Sequence, residues 1–305
     1  MPIKIQNSLP ARAILEDENI FVMTETRALH QDIRPLKIVI LNLMPIKVVT
    51  ETQLLRCLSN TPLQIEIDLL QTSTHVSKNT PEEHLLNFYS VFDDIKDNRY
   101  DGMIITGAPV ESMDYEDVDY WQELCAIFEW TKTNVHSTFH ICWGAQAALY
   151  YHFGIRKYPL PKKMFGIFEH KILNPSSRLV RGFDDVFCAP HSRNSEVRLK
   201  DFRKAPQVKV MATSDEAGVY LASAGRGRQI FVFGHPEYDA DTLSNEYFRD
   251  LGRGIPIEPP VHYFRDNDPE KGPVVSWRSH ANLLYTNWLN YYVYQTTPYN
   301  LNSIK

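Results

Sequence analysis

Apolar side chains along this chain fall into short runs separated by stretches of helical periodicity. The runs are Lys37–Met44, Ile65–Gln71, Met103–Gly107, Ser137–Cys142, Val208–Ala212, Val219–Ala222 and Gln229–Gly234, each of strand length and several rich in β-branched residues. Alternation of such runs with helices predicts a parallel α/β sheet. Within Glu116–Thr133, Trp121, Leu124, Cys125 and Phe128 recur at i, i+3, i+4 and i+7, the stripe of a helix packed on a sheet, so Cys125 is expected in the core. Thr50 and Gln53 have capping-box spacing and predict a helix opening there and running through Leu54 and Leu55.

From Val208 to Gly234 the runs are broken by Ala217-Gly218 and Gly225-Arg226-Gly227, which predicts hairpins and hence an antiparallel flank. Residues 255–273, rich in Pro and charge, read as an irregular surface segment, and Trp277, Ala281, Leu284, Trp288 and Tyr291 mark a C-terminal helix. The expected organisation is one catalytic domain over 1–305: an N-terminal arm (1–36), an α/β core (37–254), and the irregular segment with its helix (255–305).

Composition narrows the function. At 305 residues, with 43 % hydrophobic and 23 % charged side chains, the chain can bury a core without staples and is no coiled coil or long disordered segment. Its 32 Lys+Arg against 37 Asp+Glu give a net charge of −5, which argues against nucleic acid or anionic lipid as a partner. Cys57, Cys125, Cys142 and Cys188 are widely spaced, with no CxxC and no HExxH, so reduced thiols are expected rather than a disulfide framework or a metal site. No uninterrupted apolar stretch spans a membrane or forms a leader, and a cytoplasmic location is expected.

Two strand ends carry chemistry. In Thr138-Phe-His-Ile-Cys-Trp-Gly-Ala-Gln-Ala-Ala-Leu149 an apolar strand ends at Cys142 and turns into an Ala-rich helix. Such an elbow lifts the thiol above the sheet edge, and the helix amino terminus favours the thiolate and offers N–H groups to an oxyanion. Free Cys is otherwise mostly packing, and Cys57, Cys125 and Cys188 are read that way. In Phe231-Val-Phe-Gly-His-Pro-Glu-Tyr238 another apolar strand delivers His235 as base and Glu237 as the carboxylate that orients it. Any one of the 11 histidines is by itself more readily structural; the pairing of both strand ends is what signals catalysis.

Ile141-Cys142-Trp143-Gly144 with His235-Pro236-Glu237 resembles the Cys/His/Glu arrangement of class I glutamine amidotransferases, although His140 stands where that elbow usually has Gly; the resemblance implies a flavodoxin-like α/β fold, a mostly parallel sheet with helices on both faces. Over almost the whole chain, Asn42-Leu-Met-Pro-Ile-Lys47, Thr106-Gly-Ala-Pro-Val-Glu111, Phe139-His-Ile-Cys-Trp-Gly-Ala-Gln146, Pro190-His-Ser-Arg193 and Gly234-His-Pro-Glu-Tyr238 closely resemble the homoserine O-acyltransferases of methionine biosynthesis. That resemblance implies an acyl thioester on Cys142, His235 as base, Glu237 behind it, and the backbone N–H groups of Lys47 and Trp143 as oxyanion donors. It implies Lys163, Ser192 and Arg249 as substrate-binding residues, with L-homoserine and acetyl-CoA as substrates, no cofactor, and a homodimer. Glu111 matches the position that is Glu in members using acetyl-CoA and Gly in those using succinyl-CoA, and a carboxylate there would repel a succinyl group.

Blander readings exist for several of these residues: a solvated loop lysine for Lys47, an i, i+3 ion pair with Glu246 for Arg249, Lys162 in place of Lys163, and a loop Glu facing water for Glu111. The expected activity is homoserine O-acetyltransferase; the alternatives are homoserine O-succinyltransferase, a glutamine amidotransferase or amidohydrolase, and a non-catalytic binding domain.

Overall fold

In the computed structural model, which describes residues 3–18, 23–24, 34–75 and 79–304, the first half of the chain builds one side of a sheet. It runs through β1 (Ile3–Ile5), α1 (Ala11–Asp17), β2 (Met23–Thr24), β3 (Leu36–Leu41), α2 (Lys47–Ser59), β4 (Ile65–Leu70), α3 (Glu82–Phe88), β5 (Tyr89–Ser90), α4 (Phe92–Ile95) and β6 (Tyr100–Ile105). The second half continues with α5 (Trp121–Asn134), β7 (Val135–Ile141), α6 (Trp143–Phe153), β8 (Tyr158–Ile172), β9 (Val186–Glu196), β10 (Lys209–Ser214), β11 (Gly218–Ala224), β12 (Gln229–Val232), α7 (Thr242–Gly252) and α8 (Arg278–Trp288).

The sheet order is β2-β1-β4-β3-β6-β7-β12-β11-β10-β8-β9, with β5 paired to β4. Pairing is parallel from β2 through β12 and antiparallel from β12 to β9, the expected parallel core with its antiparallel flank. Each central strand is covered on both faces, which is why it reads as a continuous apolar run. In β3, Ile38 and Ile40 join one buried cluster with Leu54, Leu55 and Leu58 of α2 and Leu284 and Trp288 of α8. Val39 and Leu41 join the opposite cluster with Leu124, Ile127 and Phe128 of α5 and Ala147 and Ala148 of α6. Helix α8 is tied to β7 by ring packing of Trp288 on Phe139 at 5.2 Å and by Trp288 Nε1 donating to Ser137 Oγ at 3.0 Å, so the indole buries its apolar surface without orphaning its N–H.

Several expectations need correction. Helix α2 opens at Lys47, and Thr50 and Gln53 are buried inside it; the capping-box pattern is present in sequence without occupying a helix end. Cys125 is partly exposed, because it sits at the margin of the stripe whose centre is Leu124 and Phe128. Helix α5 begins at Trp121, the residues before it forming a 3-10 turn at Tyr115–Asp117. The 255–273 segment is irregular, yet Tyr263 and Phe264 are buried with Trp277 and Leu243, and Val261 bonds to Phe165 and Ile167 of β8. The C-terminal stripe is α-helical to Trp288 and continues through Tyr291 as a π-helical turn. Within the N-terminal arm, β1 pairs with β4 and Leu15 of α1 is fully buried against the chain's own core. Strands β8 and β9, the long hairpin at the flank, went unread in the sequence.

Chain order reverses direction in the sheet at β3, with β4 added on one side and β6 on the other. Loops at the carboxyl ends of strands around such a reversal form the crevice where open α/β sheets bind ligands.

Candidate active site

The carboxyl ends of the adjacent strands β3, β6, β7 and β12 deliver Lys47, Glu111, Cys142 and His235 to that crevice. Cys142 sits between β7 and α6 with φ 50° and ψ −117°, a conformation that costs a non-glycine residue about 1–3 kcal/mol. The fold holds it there. Cys142 N–H donates to Val232 O at 2.7 Å, and Cys142 O accepts from Ala145 and Gln146 in the first turn of α6. The elbow is pressed against the end of β6: a Cβ on Gly144 would lie 2.5 Å from Thr106 O, so only glycine fits.

His235 is placed by its own N–H donating to Pro190 O at 2.8 Å. Its Nδ1–H donates to Glu237 Oε1 at 2.7 Å, and Cys142 acts on the same imidazole. Gly107 is the floor common to both, since a Cβ there would lie 3.3 Å from Cys142 Cβ and 3.4 Å from His235 Cε1. All three catalytic candidates are buried. Burial opposes the imidazolium, but Cys142 and Glu237 together outweigh it and raise the His235 pKa well above the usual histidine value. Tyr238 stacks on the imidazole at 4.2 Å.

Trp143 opens α6, so its N–H belongs to the unsatisfied first turn of a helix directly beside the sulfur. Lys47 opens α2, and its N–H donates to Thr80 Oγ1 at 3.2 Å; an oxyanion there would replace the threonine. Its side chain is no solvated loop lysine. It is buried, turns back to donate to Asn42 O, and burial lowers its pKa to about 8 against the pull of Glu51.

Glu111 Oε1 lies 4.0 Å from Cys142 Sγ, so this carboxylate faces the nucleophile. Its other oxygen accepts from Asn194 N–H at 2.7 Å and Asn194 Nδ2 at 3.2 Å. Burial raises its pKa, partly offset by those two Asn194 bonds.

Lys163, Ser192 and Arg249 converge on two carboxylates of α7 that sequence reasoning did not assign to the site. Lys163 Nζ contacts Glu246 Oε1 at 2.5 Å and Asp250 Oδ2 at 3.9 Å, and Ser192 Oγ contacts both Glu246 oxygens at 2.9 Å. Arg249 pairs chiefly with Asp250 at 2.7 Å, with Glu246 at 3.8 Å, so the i, i+3 pair is the weaker contact. Lys162 instead pairs with exposed Glu258. Tyr238 links the cluster to the nucleophile, since Glu246, Glu237, Cys142 and Glu111 all act on its hydroxyl after the larger effect of burial, which together raise its pKa. Arg193 was also overlooked. It is buried, bonds to Ser195 O, Ala217 O and His191 Nδ1, and, although burial lowers its pKa, Cys142, Glu111 and Glu196 support its charge. Among the described residues no group of three or more His, Cys, Asp and Glu could hold a metal ion, and no helix is long and apolar enough to cross a membrane.

The family described as homoserine O-succinyltransferase matches residues 2–299. A homoserine O-acetyltransferase of Acetivibrio thermocellus is 63 % identical over 305 residues, covering 100 % of both chains, and one of Bacteroides thetaiotaomicron is 58 % identical over 305 residues with the same coverage. Among solved structures, a glutamine amidotransferase of Thermotoga maritima superimposes with a TM-score of 0.56 at 13 % identity, covering 85 % of this chain and 98 % of that one, a likeness of fold alone. With its full-length match to the family and its Cys142, His235 and Glu237 assembled at one sheet edge, the chain belongs to the homoserine O-succinyltransferase family, the homoserine O-acyltransferases of methionine biosynthesis.

Proposed function

We propose that the protein is a homoserine O-acetyltransferase, moving the acetyl group of acetyl-CoA to the hydroxyl of L-homoserine through a thioester on Cys142. In the first half-reaction the Cys142 thiolate attacks the acetyl carbonyl, and the backbone N–H groups of Trp143 and Lys47 receive the oxyanion. The C–S bond to CoA breaks, and the His235 imidazolium gives its proton to the departing thiolate. In the second, neutral His235 removes the homoserine hydroxyl proton as that oxygen attacks the thioester, and the Cys142 thiolate leaves, restoring the ion pair. A thioester exchanged for a thioester keeps the acyl group activated for the alcohol. Both proton transfers run through His235, so the reading calls for no cofactor.

Homoserine is recognised at the other end of the crevice. The Arg249 guanidinium and Lys163 suit its carboxylate, and Glu246, held by Ser192, suits its ammonium. The observation that carries the choice of acetyl is Glu111 Oε1 standing 4.0 Å from Cys142 Sγ: it fills the space beyond an acetyl methyl and sets a negative charge where a succinyl carboxylate would lie. We also infer a cytoplasmic location, where acyl-CoA is made, consistent with four free cysteines, and a homodimer; the described part of the arm, spent on the chain's own sheet, gives the dimer no added support.

Initial rates with L-homoserine and each acyl-CoA test the donor. The expected result is a kcat/KM that favours acetyl-CoA over succinyl-CoA by at least about 100-fold, the worth of one poorly solvated like-charge contact, and a reversal toward succinyl-CoA in Glu111→Gly. Equal use of both donors, or ammonia release from glutamine without acyl transfer, contradicts the proposal.

A further inference from the structure

Strands β8 and β9 form a regular antiparallel ladder from Met164↔Arg193 to Lys171↔Val186, then lose register and pair again at Pro159↔Ser195. Residues 160–163 of β8 therefore face Asn194 alone. Interruptions of this kind recur beside active sites, where they free a backbone group or re-aim a side chain. This one does both. On β8 it projects Lys163 toward Glu246, and on β9 it leaves the Asn194 N–H free of the ladder.

We propose that Asn194, released from the β8–β9 ladder, clamps the Glu111 carboxylate beside the Cys142 sulfur and thereby decides which acyl groups are accepted. The inference rests on Glu111 as the acyl selector. Asn194 is a positioning residue here: its two donors hold Glu111 Oε2 at 2.7 and 3.2 Å, which leaves Oε1 facing the sulfur. The backbone of the same residue is held from the other side by Lys157 Nζ, which donates to Glu111 O at 2.8 Å. Strand β9 is itself braced against the elbow helix, because Ser195 Oγ donates to Gln146 Oε1 at 2.7 Å and Gln146 Nε2 donates to Ser195 O at 3.2 Å. The clamp is thus referenced to the helix that positions Cys142. Ser192, two residues earlier on the same face of the strand, holds Glu246, so a spacing of about 7 Å along β9 separates the acyl selector from the homoserine site. A longer acyl chain must displace a carboxylate fastened by two charge-assisted hydrogen bonds.

The test measures kcat/KM for acetyl-, propionyl- and succinyl-CoA in wild type, Asn194→Ala, Glu111→Gly and the double variant. Asn194→Ala removes one of two charge-assisted donors and is expected to raise the propionyl/acetyl and succinyl/acetyl ratios about five-fold. In the Glu111→Gly background it should change neither ratio, since nothing remains to be clamped; this non-additivity separates positioning from a general structural role. Ratios that move in Glu111→Gly and stay fixed in Asn194→Ala overturn the clamp alone, as does an Asn194→Ala effect that persists undiminished without Glu111. Ratios fixed in Glu111→Gly itself overturn the selector and the clamp together. Asn194→Ser, judged by the same ratios, serves should the alanine variant not fold.

Discussion

The proposed catalytic ion pair depends on two neighbours of one imidazole. His235 is buried, and Cys142 and Glu237 raise its pKa against that burial. Replacing Glu237 by Gln keeps shape and hydrogen-bonding capacity and removes the carboxylate. The His235 pKa then falls, and the imidazolium beside Cys142 is lost at lower pH. Alkylation of Cys142 by iodoacetamide, followed against pH, should shift by about one unit toward alkaline pH in Glu237→Gln; an unshifted profile would show that the carboxylate only orients the ring. The linkage has a definite sign. A histidine whose folded pKa is raised contributes stability that is complete below the unfolded value near 6.5 and is lost as pH climbs through the folded value, so the pair is weakened by alkali. Arg193, Glu111 and Tyr238 also face the sulfur electrostatically, and all three are unchanged in this comparison.

At the scale of elements, the elbow is the most demanding piece of backbone, and Gly144 is its tightest point. Gly144→Ala drives a Cβ to 2.5 Å from Thr106 O, so α6 must move off β6. A loss of about 1–3 kcal/mol is expected, read as a lower Tm, together with a fall in Cys142 acylation larger than the stability loss explains; a variant with wild-type Tm and acylation would contradict this packing. The elbow was legible in sequence because a strand, a cysteine and an Ala-rich helix are adjacent in the chain. So was the strand ending at His235, by its apolar run. Strands β8 and β9 were not, for a physical reason: their buried positions include His170, His191, Arg193 and Ser195, polar groups that bond to one another, to backbone and to Gln146, and Pro159, Pro161, Lys162 and Lys163 interrupt what alternation remains. A buried face that is polar has no hydrophobic period to detect. Glu246 and Asn194 were missed for a different cause, since each is recognised only through a partner far away in sequence. The Thr50–Gln53 pattern shows the converse, a local signal overridden when α2 starts at Lys47 on the carboxyl end of β3.

Across the whole molecule, the parallel core and the antiparallel flank divide the work. In the proposed reaction the segments that follow strands β3, β6, β7 and β12 bring Lys47, Glu111, Cys142 and His235 for the acyl chemistry, whereas the β8–β9 hairpin and α7 bring Lys163, Ser192, Glu246 and Arg249 for the acceptor. Such a split suits two half-reactions that use one nucleophile in turn. The central claim is that Cys142 carries the acetyl group between them, and intact-mass spectrometry of the protein after incubation with acetyl-CoA alone tests it most directly. One acetyl group per chain, absent from Cys142→Ala and discharged on adding L-homoserine, is the result predicted; an unmodified wild-type mass, or an acetyl group retained in Cys142→Ala, would contradict it.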